Sequence, residues 1–271
     1  MDPSEGSAVS VAEEPPPPPP PPPPPEPPCV SIVEDGWGSV RDPLTGMPAV
    51  VRRYTFTSPS GLSLQLVSYG AAVVRVRAPD RRGVLHDVLL CAQNLHDYIK
   101  YQKLMGSGVR GRVANRIWRG RFRLDGLPVF VSRNEGSHCC HGGFWGFDKV
   151  VWQSRVVDDR VVMSHLSPAG EEGFPGSVLV LLVFRLTVDD IFVVDMQARC
   201  DRPTPIDLRY GLFLNLAGHD TDSDLPQRQT PRGEMGCLLA QVYGDATERV
   251  RNRRYFPWRS PGAAATPSST E

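Results

Sequence analysis

Leu62, Leu64 and Leu66 alternate with Ser63 and Gln65. That is the period-two signature of a half-buried strand. Phe122 and Leu124 lead into Asp125-Gly126, and Val129 and Val131 follow. An Asp-Gly pair between alternating apolar runs is a strong hairpin signal. Val156-Val157, Asp158-Asp159 and Val161-Val162 repeat the device. Phe184, Leu186 and Val188, then Asp189-Asp190, then Phe192 and Val194, repeat it again. Many short strands at close spacing from Val50 to Cys200 predict an all-β antiparallel sandwich. A single short helix is expected, around Gln93 to Lys103.

The pattern stops at both ends. Residues 1 to about 30 are acidic, small and proline-rich, with an unbroken run from Pro15 to Pro25. Such a segment buries too little apolar surface to offset its ordering entropy, so disorder with polyproline II character is expected. Its functional reading is a ligand for SH3, WW or profilin-type grooves; the bland one is a low-complexity tail. After Asp220 the chain is polar, with Arg249, Arg251, Arg253 and Arg254 almost in a row. No sustained strand alternation appears there. The expected organisation is therefore a disordered segment over 1–30, a sandwich over 31–219 and a divergent, disordered tail over 220–271.

Charge excludes some function classes. Lys plus Arg and Asp plus Glu both number 30 among 271 residues. A net charge of zero gives no support for nucleic acid or an anionic membrane surface. The longest apolar run, Val178 to Phe184, is far shorter than the ~20 residues of a bilayer span. The N-terminus has neither a basic region nor an apolar core, so it does not read as a signal peptide. The six cysteines include no C-x-x-C spacing, and reduced thiols in a cytoplasmic protein are expected.

Five segments carry the chemistry. They are SYGAAVVRVRAPDRRGVLHDV at 68–88, GRVANRI at 111–117, HGGFWGFDKVVW at 141–152, SPAGEEGFPG at 167–176 and NLAG at 215–218. In this order and approximate spacing they resemble the aldose 1-epimerases of the animal galactose mutarotase type. The resemblance implies a large antiparallel supersandwich, here incomplete. It also implies no metal or organic cofactor, and a reaction that interconverts the α and β anomers of hexoses such as glucose and galactose. A base removes the O1 proton while an acid protonates the ring oxygen, and the opened ring recloses as the other anomer. By the same resemblance Asn115 and Arg116 hydrogen-bond sugar hydroxyls, and His141 contacts the sugar near the reacting end. Taken alone, Arg116 would read as a surface ion pair and His141 as a turn residue. Glu171 and Glu172 read as structural or rim residues, since paired carboxylates on a turn are commonly solvated.

The resemblance also shows what is missing. The family's acid is a histidine whose position here is Gly211, which has no proton to give. Tyr210 beside it is a poor substitute, with an unperturbed pKa of about 10. No glutamate in a recognisable context stands for the family's base, and Glu234, Glu248 and Glu271 are not assigned to it. The expectation is a chain without intact catalytic residues. It is then either a pseudoenzyme that contacts hexose or a splice or gene-model fragment. Unpaired sheet edges would leave residues 50–219 marginally stable.

Overall fold

The computed structural model describes residues 28–42, 46–90, 92–105, 107–212, 214, 240–242 and 250–257. The Pro15 to Pro25 run and most of the stretch beyond Asp220 lie outside these residues.

The first sheet is an antiparallel meander of β1 (Ser31–Arg41), β2 (Pro48–Thr57), β3 (Ser63–Val67), β4 (Ala72–Pro79) and β5 (Leu85–Asp87), in that order. The predicted Leu62–Leu66 alternation lies in and just before β3, and all three leucines are buried. The helix α1 (Leu95–Met105) follows. Asn94 caps it: its Oδ1 accepts from the Asp97 amide at 2.9 Å, and its Nδ2 donates to the Asp97 carboxylate at 2.8 Å. Leu95 and Tyr98, three residues apart on one helix face, pack on Val51, Val67 and Val74. The helix thereby covers the outer side of this sheet.

Short strands come next: β6 (Gly108–Arg110), β7 (Arg116–Ile117), β8 (Arg121–Leu124), β9 (Leu127–Phe130) and β10 (Cys139–Cys140). The Asp125-Gly126 hairpin joins β8 to β9 as predicted, with φ of 51° and 79° at its two turn residues. Positive φ at both positions matches the right-handed strand twist.

The second sheet contains β11 (Gln153–Val157), β12 (Arg160–Ser167), β13 (Val178–Leu186) and β14 (Ile191–Cys200), all antiparallel. Asp158-Asp159 forms the first of its hairpin turns. In the last turn the reach of the strand pattern was one step too long. The Asp190 amide donates to the Thr187 carbonyl and the Thr187 amide to that of Ile191, so β13 ends at Leu186. Val188 belongs to the four-residue turn and is exposed.

Tyr54, Phe56, Leu64 and Leu66 of the first sheet meet Val161, Met163, Val180, Leu182 and Phe184 of the second in one buried core. Two sheets packed face to face make the predicted sandwich. Each fully buried side chain of this kind stabilises by about 2 kcal/mol. Three further strands are β15 (Ile206–Gly211), β16 (Ala240–Val242) and β17 (Val250–Pro257). The last pairs antiparallel with β14 along most of its length, although the sequence there shows no apolar alternation. Backbone hydrogen bonding to a neighbouring edge, independent of side-chain pattern, produces such a strand.

Candidate functional site

The site is built where β15 meets the segment after α1. β15 pairs antiparallel with β6, placing Gly211 opposite Gly108 and Arg209 opposite Arg110. Farther on, the amide of Ala114 donates to the carbonyl of Asp207 at 2.9 Å, and that of Asp207 to the carbonyl of Arg112 at 3.0 Å. The chain from Gly108 to Asn115 therefore tracks β15.

Alternation along β15 separates two faces. Ile206, Leu208 and Tyr210 are buried in the core. Asp207, Arg209 and Gly211 occupy the other face, where Arg209 and Asp207 form a half-buried ion pair at 3.2 Å. Tyr210 packs against Phe184 with ring centroids 5.7 Å apart, and burial drives its phenol well above the ordinary value. It is turned away from the face of Gly211 and unsuited to proton transfer. At Gly211 itself an added Cβ would meet nothing within 4 Å among the described residues.

Asn115 and His141 are joined by reciprocal hydrogen bonds. The Asn115 amide donates to His141 Nδ1 at 3.0 Å, and the His141 amide donates to the Asn115 carbonyl at 3.0 Å. Because Nδ1 accepts, the neutral ring carries its proton on Nε2. Burial, reinforced by the nearby Arg110 charge, pulls the imidazole from 6.5 down to about 4. At neutral pH His141 thus presents an uncharged Nε2–H donor.

Arg116 lies in β7 opposite Cys140 of β10. Its guanidinium is exposed and engages Glu135, with Nε bonded to one carboxylate oxygen and Nη2 to the other at 3.0 Å. This pairing holds the Glu135 carboxyl below its usual range. Nη1 takes no part in this pair. The ion pair read from Arg116 alone is therefore present.

The three predicted contact residues are brought together by two short segments, 115–117 and 139–141. Their supports include Asn134, which was not singled out from sequence, and Glu172, whose partners the sequence did not give. Asn134 Nδ2 donates to the carbonyls of Cys140 and Gly143, both at 2.9 Å, and its Oδ1 accepts from the Cys140 amide at 2.7 Å. Glu172 accepts from the amides of Phe144 at 3.1 Å and Trp145 at 2.9 Å. Glu171 and Glu172, read from the sequence as structural or rim residues, are both bonded into the structure rather than left to solvent. Glu171 accepts from the Ser167 hydroxyl, and burial raises its carboxyl above the usual range. The sequence signal for Glu172 was its place in the SPAGEEGFPG segment, which does not identify its partners.

Arg112 is buried and donates to the carbonyls of Pro175, Gly176, Ser167 and Pro168 at 2.7–3.1 Å. It fixes the 167–176 segment that carries Glu172. Burial lifts the Cys139 thiol to about 11, so it offers no thiolate. No helix among the described residues is long and apolar enough to cross a membrane.

A family model described as Aldose 1-epimerase matches residues 52–240. The galactose mutarotase of Bos taurus is 39% identical over 199 residues, covering 68% of this chain and 56% of that protein. The aldose 1-epimerase of Escherichia coli (strain K12) is 33% identical over 172 residues, covering 63% of this chain and 49% of that one. A solved GalM/aldose epimerase homologue from C. elegans superposes with a TM-score of 0.56 at 26% identity, covering 59% of this chain and 49% of its own. The galactose 1-epimerase of Lactobacillus acidophilus NCFM shares the fold, with a TM-score of 0.57, 22% identity and coverage of 69% and 54%. The chain thus spans about half the length of the curated relatives it matches. On the matched span and these identities, the chain belongs to the aldose 1-epimerase family.

Proposed function

We propose that this chain contacts a free hexose, galactose or glucose, through Asn115, Arg116 and His141 without catalysing anomer interconversion through its family's acid. The observation that carries the reading is the paired geometry of Asn115 and His141. Two left-handed residues from distant segments are bonded to each other through Nδ1, leaving the imidazole with an Nε2–H donor that has no acceptor among the described residues. A pyranose ring oxygen or hydroxyl suits a neutral donor of this kind. Arg116, whose register partner Cys140 precedes His141, suits a second hydroxyl.

The inactivity follows from Gly211. Opening the ring requires a proton donor at the ring oxygen as O1 loses its own proton. Glycine supplies none, and Tyr210 faces the core. Gly211 lies inside the matched residues 52–240, which supports reading it at the family's acid position. No cofactor enters the proposed role.

Calorimetry with galactose and polarimetry of fresh α-galactose test it together. The expected result is heat of binding with mutarotation at the spontaneous rate. Acceleration by the purified chain overturns the inactivity, and absence of heat overturns the contact.

A further inference from the structure

We propose that Asn134 and Glu172 are positioning residues of this site: they clamp the loop on both sides of His141, so that Nδ1 stays on the Asn115 amide and Nε2–H faces the sugar. The proposal rests on the contact role given above to His141 and adds what fixes it.

His141 has a φ of 53°. Left-handed backbone costs a residue with a Cβ roughly 1–2 kcal/mol. It persists where surrounding bonds over-determine it. Here those bonds come from two side chains on different segments. Asn134 uses its whole amide: it spans the loop from Cys140, just before His141, to Gly143, just after. Glu172 takes the next two amides, those of Phe144 and Trp145. A carboxylate accepting two backbone N–H groups makes charge-assisted bonds, stronger than neutral ones. The two clamps are themselves connected, since the Ser132 amide donates to the Glu172 carbonyl at 2.9 Å.

Space is reserved for the clamp. A Cβ on Gly143 would lie 2.1 Å from the Glu172 carboxylate. Neither Asn134 nor Glu172 hydrogen-bonds the imidazole, so both act through the backbone of the loop. The charged groups acting on the ring are Arg110, Asp148, Lys149 and Glu135, and none of them is altered by changing the clamp.

The experiment reads the His141 ring without sugar. In long-range proton–nitrogen NMR of the full chain, His141 is expected as a single Nε2–H tautomer that remains neutral through pH 5. In Asn134→Ala and Glu172→Ala the tautomer is expected to become a mixture, and the titration to move from about 4 toward 6.5. Glu172→Gln keeps one carbonyl acceptor and should shift less than Glu172→Ala; it also serves where the alanine variant fails to fold. Ser154→Ala, which removes the partner of the Tyr54 hydroxyl at 2.8 Å in the sandwich, controls for general loss of stability and should leave His141 unchanged. An unchanged tautomer and titration in Asn134→Ala and in the Glu172 variants overturns the clamp, whatever happens to the melting temperature. A shifted tautomer in a chain that gives no heat with galactose supports the clamp and refutes the sugar contact; an unchanged one with heat does the reverse.

Discussion

The amide of Asn115 donates to the imidazole of His141 across 26 positions of sequence, while the His141 amide returns a bond to the Asn115 carbonyl. This pair converts two turns into one rigid edge. Its stiffness depends on how closely the neighbouring backbone approaches, which leads to the first prediction.

Gly142 follows His141 with a φ of 86°, and a Cβ there would lie 1.9 Å from the Gly111 carbonyl oxygen. Gly142→Ala combines a left-handed penalty with a backbone clash. We expect a loss of about 3 kcal/mol in urea unfolding. We also expect loss of the Asn115–His141 bond, visible as a shift of the Asn115 amide resonance. Wild-type stability in this variant would refute the close packing of the two segments.

Arg112 satisfies four carbonyls from inside the protein and lies over the Phe174 ring at 5.6 Å. Burial lowers its pKa to about 10, so it stays charged at neutral pH. Arg112→Met removes every donor while keeping much of the volume. Stranding these acceptors should cost about 3–5 kcal/mol by chemical denaturation. Arg112→Lys retains the charge with fewer donors and should fall in between.

Stability should decline with acid through histidine. The His165 ring lies 5.4 Å from both Phe147 and Trp152, and burial pulls it from 6.5 to about 4. Between those values the unfolded chain binds a proton that the folded chain refuses, so unfolding becomes easier as pH falls. Full development of the effect is worth about 3 kcal/mol at one histidine, from 1.36 kcal/mol per pKa unit. His141 adds in the same direction, less strongly because it is half-exposed. Glu171, raised by burial, opposes both as it takes up a proton in the folded state. Urea melts at pH 7 and pH 5 should show the decline, and His165→Phe should flatten it. Equal slopes in parent and variant would rule His165 out as its source.

At Gly211 an added Cβ would meet none of the described residues within 4 Å. Gly211→Ala should stabilise by roughly 0.5 kcal/mol, since glycine in a strand gives up more conformational freedom on folding. Gly211→His should fold as well as the parent. A loss above ~1 kcal/mol in the alanine variant would mean that the face of Asp207 and Arg209 is filled at that point.

Local chemistry was enough to find most strands, all three predicted hairpins and the helix, with only the end of β13 placed too far along. Asp125-Gly126 and Asp158-Asp159 set their turns through the dihedral preferences of the residues themselves. Asn94 caps α1 through a partner three residues away. Period-two burial of Leu62, Leu64 and Leu66 likewise needs no knowledge of the rest of the chain. The position of β17 on the β14 edge was not visible, because backbone pairing of that kind leaves no mark on side-chain order.

The proposed contact residues Asn115, Arg116 and His141 were legible only through motif resemblance, and of their supports only Glu172 was named, without its partners. Arg112 reads as one more charged residue in an arginine-rich stretch until folding buries it beneath the carbonyls of 167–176. Asn134 and Glu172 are an ordinary polar pair until the chain path brings them to the two ends of one loop. Sequence alone determined most of the strands, the helix and the lack of a titratable side chain at Gly211. Tertiary structure decided which polar groups hold the site, because bonds spanning 26 or 28 positions depend on how separate elements pack rather than on any local preference.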